Sequence, residues 1–172
     1  MGYGKSKTMK IAIDLEGTLI AECGEFPCER TNELARCFLL CGLRLQARKM
    51  LRELARAGHI LTLYTSGKHS AATLRLWCLA AGLPIHHIIT LADYKQDARH
   101  NKGTRVSWPP VSGQDLILDD ETRHIETARR NGVMALQITN HSLNWTTCIQ
   151  KTCLGSDGVR VANTEQKLLT QS

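Results

Sequence analysis

The chain is 172 residues long, 42% hydrophobic and 22% charged, which fits one globular domain with its own core and excludes collagen-like, low-complexity and disordered classes. Lys and Arg outnumber Asp and Glu 22 to 16, a net charge of +6; this balance favours anionic partners such as phosphorylated substrates, nucleic acid or an acidic surface, although it also serves solubility alone. Three Trp, three Tyr and two Phe do not interleave with Lys or Arg, so no stacking platform for single strands is visible, and no apolar run reaches membrane-spanning length.

Taken in chain order, short apolar runs alternate with helical patterns. Met9–Asp14 is predicted as a strand, Gln46–Ala57 as an amphipathic helix closed by Gly58, and Ile60–Tyr64 as a second strand. A helix is expected over Ala71–Ala81 with its stop at Gly82, then a strand at His87–Leu91. Asp115–Leu118 is the next strand, followed by a helix to Asn131 and a last strand at Val133–Ile138. This alternation predicts an α/β fold, a Rossmann-like doubly wound parallel sheet of about five strands. The segment after Thr139 shows little periodicity. One domain is expected over 1–155, with 156–172 as a tail that lacks order.

Ligands of a doubly wound sheet sit beyond the carboxyl ends of its strands. The first strand ends at Asp14, followed by Leu15-Glu16-Gly17-Thr18; the second runs into Thr65-Ser66-Gly67; the fourth ends at Asp119-Asp120-Glu121. Lys102 lies between the third and fourth. Three strand ends thus bring carboxylates and hydroxyls to one rim, with a lysine in reach. Alone, each residue has a plainer reading: Asp14 or Thr65 as a turn residue, and Asp119-Asp120 as a solvated pair at a helix N-terminus. Together they point to chemistry on an anionic substrate.

In the order of these four motifs the chain resembles the haloacid dehalogenase superfamily from Met9 to Ile138. The fourth motif, Asp119 to Ile125 with Gly132-Val133 behind it, is most similar to the capless magnesium-dependent phosphatase group and less so to the C-terminal-domain phosphatases. The resemblance implies a phosphatase with Mg²⁺ as cofactor. Asp14, Asp119 and Asp120 offer the hard oxygens that Mg²⁺ takes, and the superfamily adds the backbone carbonyl of Glu16. Asp14 would be the nucleophile that forms an aspartyl-phosphate. Glu16 would serve as general acid and then as general base. Thr65, with Ser66 and Gly67, would hold phosphoryl oxygens, and Lys102 would place a cation beside Asp14. Lys95, read as part of the same loop, is the alternative lysine. The family's usual residue at position 16 is Asp, and the longer Glu16 departs from it.

Neither the span from Asp14 to Thr65 nor that from Thr65 to Lys102 holds a sizeable cap domain. An open site of this kind suits a phosphoprotein or another bulky ester. Two other classes compete: a non-catalytic phospho-binding relative, for which Glu16 argues, and a polynucleotide end phosphatase, for which the charge argues. Met1–Lys10 is too polar for a signal peptide, so the seven cysteines are expected as reduced thiols in a cytoplasmic protein. Cys23, Cys28, Cys37 and Cys41 could in number form a zinc site, but their spacing is looser than a metal knuckle and Cys37–Cys41 reads as a buried apolar strand. Cys78 is expected in the core, and Trp108-Pro109-Pro110 as a wall of the site. The sequence does not indicate an oligomeric state.

Overall fold

A computed structural model describes residues 8–21, 26–30, 32–39, 42–100, 108–140, 142 and 144–154, with the side chains of 97–100 excepted. Five parallel strands form the main sheet in the order β6-β5-β1-β7-β8. These are β1 (Lys10–Asp14), β5 (Ile60–Thr65), β6 (His87–Thr90), β7 (Leu116–Asp119) and β8 (Met134–Gln137). The chain starts in the middle, winds to one edge through α2 (Ala47–Arg56) and α3 (Ala71–Ala81), then returns to the other side through α4 (Leu91–His100) and α5 (Thr122–Arg130). Strand order therefore reverses beside β1, and the crevice at the β1 and β7 ends is the topological switch point.

The two-residue period of the strands sorts their side chains between two cores. Ile11, Ile13, Leu61, Leu63, Leu116 and Leu118 enter the larger one, with Met50, Leu51 and Leu54 of α2 and Leu74, Trp77 and Cys78 of α3. Ala12, Tyr64 and Ile117 enter the second, with Ile125 and Ala128 of α5. Each fully buried Leu or Ile contributes about 1.5–3 kcal/mol. The parity that puts Ala12 and Ile117 on the α5 face also turns Asp14 and Asp119 to that face. The prediction that Met9–Asp14, Ile60–Tyr64 and Asp115–Leu118 are neighbouring parallel strands is met by β5-β1-β7.

Several expectations are corrected. Cys37 is not in a strand: it caps the short helix α1 (Glu33–Arg36), whose N-cap Asn32 accepts a hydrogen bond from the Ala35 amide at 2.7 Å. Three short strands not foreseen, β2 (Ile20–Ala21), β3 (Cys28–Glu29) and β4 (Gly42–Arg44), make an antiparallel sheet in the order β2-β4-β3. Lys95 lies on helix α4 rather than in a loop. After Thr139 the chain is helical over 145–154, here α6, and Trp145, Ile149 and Cys153 pack into the larger core at four-residue spacing. Residues 156–172, expected as a tail, lie outside the described residues. No helix among the described residues is long and apolar enough to cross a membrane.

His59 ties α6 to β1. Its buried ring accepts from the Met9 amide through Nδ1 at 3.1 Å, so Nε2 carries the proton and donates to the Cys153 carbonyl at 3.1 Å. Burial lowers the pKa of this imidazole. A depressed folded value means that its stabilising share is present above the unfolded value of about 6.5 and is lost as pH falls through the folded value. Chemical denaturation followed from pH 7.5 to 5 should show this loss, and His59→Gln should flatten it.

Candidate active site

β1 delivers Asp14 to the switch point and β7 delivers Asp119, with Asp120 one residue further on. One oxygen from each carboxylate lies within 4.8 Å of the others. Asp14 and Asp119 are buried and Asp120 is partly so. Burial raises the Asp14 pKa well above the usual carboxylate range, and the charges of Asp119, Glu16 and Asp120 raise it further. Burial, then Asp119, likewise raises Asp120. Three carboxylates so crowded are poorly compensated by protein alone, and a hard divalent cation fits their chemistry.

The turn after β1 is shaped for this approach. Gly17 has φ +75°, and a Cβ there would stand 2.5 Å from Asp120 Oδ2. The Thr18 hydroxyl donates to Asp120 Oδ1 at 3.2 Å. Beneath the turn, the buried Arg44 guanidinium donates to the carbonyls of Thr18 at 3.2 Å and Thr139 at 2.6 Å. It lies over the rings of Phe26 and Trp145, 4.2 and 5.2 Å from their centroids.

Asp119 is held from three directions. Oδ2 accepts from the Tyr64 hydroxyl and from His124 Nδ1 at 2.8 Å, and Oδ1 accepts from the Glu121 amide at 2.7 Å. Burial, followed by Asp119 and Asp14, pushes the Tyr64 pKa far up and keeps its hydroxyl a donor. Burial lowers the His124 pKa, but the bond and charge of Asp119, with Glu121, outweigh it and leave a net rise. Sequence reasoning missed both partners. Tyr64 is hidden inside an apolar strand, while His124, five residues past Asp119 in the first turn of α5, was legible as a side chain that folds back on the strand end.

On the other side of Asp14, the Thr65 hydroxyl donates to Glu16 Oε2 at 2.6 Å and accepts from the Gly67 amide at 2.8 Å. Glu16 Oε1 is buried with no hydrogen-bond partner among the described residues. It lies 2.4 Å from where a Cβ on Gly67 would be. Thus Thr65 and Gly67 are brought to Glu16, whereas Ser66 is exposed. Lys102, Cys23 and Cys41 lie outside the described residues. Cys28 and Cys37 are exposed free thiols and Cys78 is buried; among the described residues the Asp14, Asp119 and Asp120 trio is the group with metal-ligating potential.

The class that fold and site define is an α/β protein with an acidic switch-point crevice. No family model matches the chain, and no curated protein matches it. A solved structure titled "Structure of Pnkp1/Rnl/Hen1 complex" is similar at a TM-score of 0.50 and 15% identity, over 76% of this chain and 45% of that one. The chain thus spans less than half of that relative's length, and the likeness is one of fold.

Proposed function

We propose that the chain is a capless phosphatase of the haloacid dehalogenase type, hydrolysing phosphate monoesters with Mg²⁺ in the cytoplasm. The carrying observation is the gathering of Asp14, Asp119 and Asp120 at the switch point, with Glu16 next to Asp14 and bonded to Thr65. Asp14, Asp120 and the remaining lone pair of Asp119 would hold Mg²⁺ together with the Glu16 carbonyl. When bound, the cation supplies positive charge that offsets repulsion between a phosphate dianion and a carboxylate nucleophile.

Asp14 attacks phosphorus, and the ester oxygen departs with a proton from Glu16. Glu16, now ionised, takes a proton from the water whose oxygen attacks the aspartyl-phosphate, releasing inorganic phosphate and restoring Asp14. Thr65, Ser66 and Gly67 would receive phosphoryl oxygens, with the Thr65 hydroxyl exchanging its bond to Glu16 for one to phosphate. Lys102 would supply the cation beside Asp14. Among the described residues only the short β2-β4-β3 sheet and the one-turn helix α1 are inserted between β1 and α2, which supports an open site for bulky esters such as a phosphoprotein.

The test is turnover of an aryl phosphate after exhaustive EDTA treatment and then with Mg²⁺ restored. Activity should vanish and return, and turnover that survives chelation would sink the mechanism. Mg²⁺ affinity should weaken as pH falls, because protons compete for the site and the raised Asp14 pKa carries that competition above the usual carboxylate range. Calorimetric titration at several pH values reads this directly.

A further inference from the structure

A pocket of about 350 Å³ opens beside the acidic site, lined by Ser66, Lys95, Trp108, Arg123, His124 and Thr127. It is contiguous with the proposed chemistry at two points. Ser66 follows Thr65, and His124 is the residue whose Nδ1 donates to Asp119. A leaving group on a phosphate held at Asp14 would have this pocket as its neighbour through those two residues.

The lining has three kinds of group. Trp108 gives an aromatic wall, braced edge-on by Tyr64 and Tyr94 with ring centroids 5.6 Å away in each case. Its indole Nε1 is buried with no hydrogen-bond partner among the described residues, so the ring offers the pocket apolar surface rather than a donor. Lys95 brings an exposed cation; Arg123 brings a second, already paired with Glu121. Ser66 and Thr127 add hydroxyls. A volume near the lower range of small-ligand pockets fits one nucleoside. An aromatic wall suits the flat face of a heterocyclic base, and Lys95 suits a second phosphate. A phosphoserine or phosphothreonine peptide would leave the wall without a planar partner.

Resting on the phosphatase reading above, we propose that this pocket takes the nucleoside of a nucleotide substrate, with the base on Trp108 and a further phosphate at Lys95. The chain as a whole, at +6, favours such polyanions.

The experiment compares kcat/KM for adenosine 5′-monophosphate, adenosine 3′,5′-bisphosphate, ribose 5-phosphate and a phosphoserine peptide. The base should raise kcat/KM about 5- to 150-fold over ribose 5-phosphate, the range of one stacked base. The second phosphate should raise it further, with a steeper loss in salt. Trp108→Leu should erase the advantage of the base and Lys95→Ala that of the second phosphate; Lys95 is exposed, so that variant keeps the test alive if Trp108→Leu fails to fold. Binding of the same adenosine and ribose compounds to Asp14→Asn protein, by calorimetry, reads the pocket without turnover. If aryl phosphate is hydrolysed but base and second phosphate bring no gain, or the phosphopeptide is preferred, or the gains survive both substitutions, the nucleotide pocket is wrong and the phosphatase reading stands. If no ester is hydrolysed yet Asp14→Asn protein binds the nucleotides through Trp108 and Lys95, the reaction is wrong and the pocket stands. Absence of that binding, with no turnover, removes both.

Discussion

Asp14→Asn is expected to abolish turnover while making the metal-free protein more stable. The two effects come from one charge. As the nucleophile of the proposed mechanism, Asp14 has no substitute at the end of β1, so loss of its carboxylate should lower kcat on the order of 10⁴-fold or more, and no phosphoenzyme should form on incubation with substrate. As a structural group, the ionised Asp14 is a liability. It is buried beside Asp119 and Asp120, and burial and those charges raise its pKa well above the usual value. A carboxyl with a raised folded pKa contributes stability below its unfolded pKa, and this is lost as pH rises through the folded value. Near neutrality the metal-free site is therefore strained by charge, and the isosteric amide relieves it. A gain of about 1 kcal/mol is typical where an active-site charge is removed, which corresponds to ~2–4 °C in a domain of this size. Melting in EDTA should show Asp14→Asn above wild type, and Mg²⁺ should raise the wild-type Tm more than the variant's. A variant that is less stable than wild type in EDTA, or that keeps wild-type turnover, would remove Asp14 from this role.

What the sequence reveals and what it hides divide along physical lines. The parallel sheet was legible because buried strands between helices read as largely apolar runs: Ile11–Ile13 and Leu116–Leu118 are unbroken, and Leu61–Leu63 is interrupted only by the buried Thr62. Asp14 and Asp119 were legible because the same runs stop at a carboxylate. The β2-β4-β3 sheet was not, since two- and three-residue strands are too short to show a period, and their pairing, Ile20 with Leu43 and Cys28 with Arg44, is set by tertiary contact. α6 carried a signal that was passed over: Trp145, Ile149 and Cys153 recur every four residues. Thr90, which ends β6 just before α4, accepts from the Asp93 amide through its hydroxyl at 3.1 Å, a cap that a strand boundary placed at Leu91 concealed. The place of Trp108 in a pocket wall shared with α4 and α5 needed the fold as well. As one of three tryptophans without flanking basic residues it read as a loop wall, and α4 and α5 supply Lys95 and Arg123 from distant positions.

The second large effect concerns Glu16, the residue that departs from the pattern of the superfamily the sequence resembles, and it turns on a glycine four strands further along the chain. Glu16 reaches Thr65 because position 67 has no side chain: a Cβ there would lie 2.4 Å from Oε1 and 3.1 Å from the Glu16 carboxyl carbon. Gly67→Ala should therefore expel the Glu16 carboxylate, breaking its 2.6 Å bond to Thr65, and lower kcat by about 10²-fold, the cost of misplacing a catalytic group by roughly 1 Å. Glu16→Asp should lose activity to a similar degree, because one methylene fewer draws the carboxyl back from Thr65 and leaves that hydroxyl without its acceptor. The two substitutions are not independent. The shorter aspartate vacates the space that the new methyl needs, so adding Glu16→Asp to Gly67→Ala should cost little more than either alone, a coupling of about 0.5–3 kcal/mol in a double-mutant cycle. Glu16→Gln separates placement from proton transfer: the amide fits the same space but cannot protonate a leaving oxygen. Its loss should be about 10²–10⁴-fold on alkyl esters and smaller on aryl esters with acidic leaving groups, which depart without help. Oε1 has no partner among the described residues, so in the proposed mechanism it is the oxygen that would carry that proton. The decisive measurement is the steady-state series over leaving-group pKa for all four proteins. A gain of activity in Glu16→Asp would mean that the pocket is not built for glutamate, and a loss in Glu16→Gln that is flat across the series would take Glu16 out of the first step.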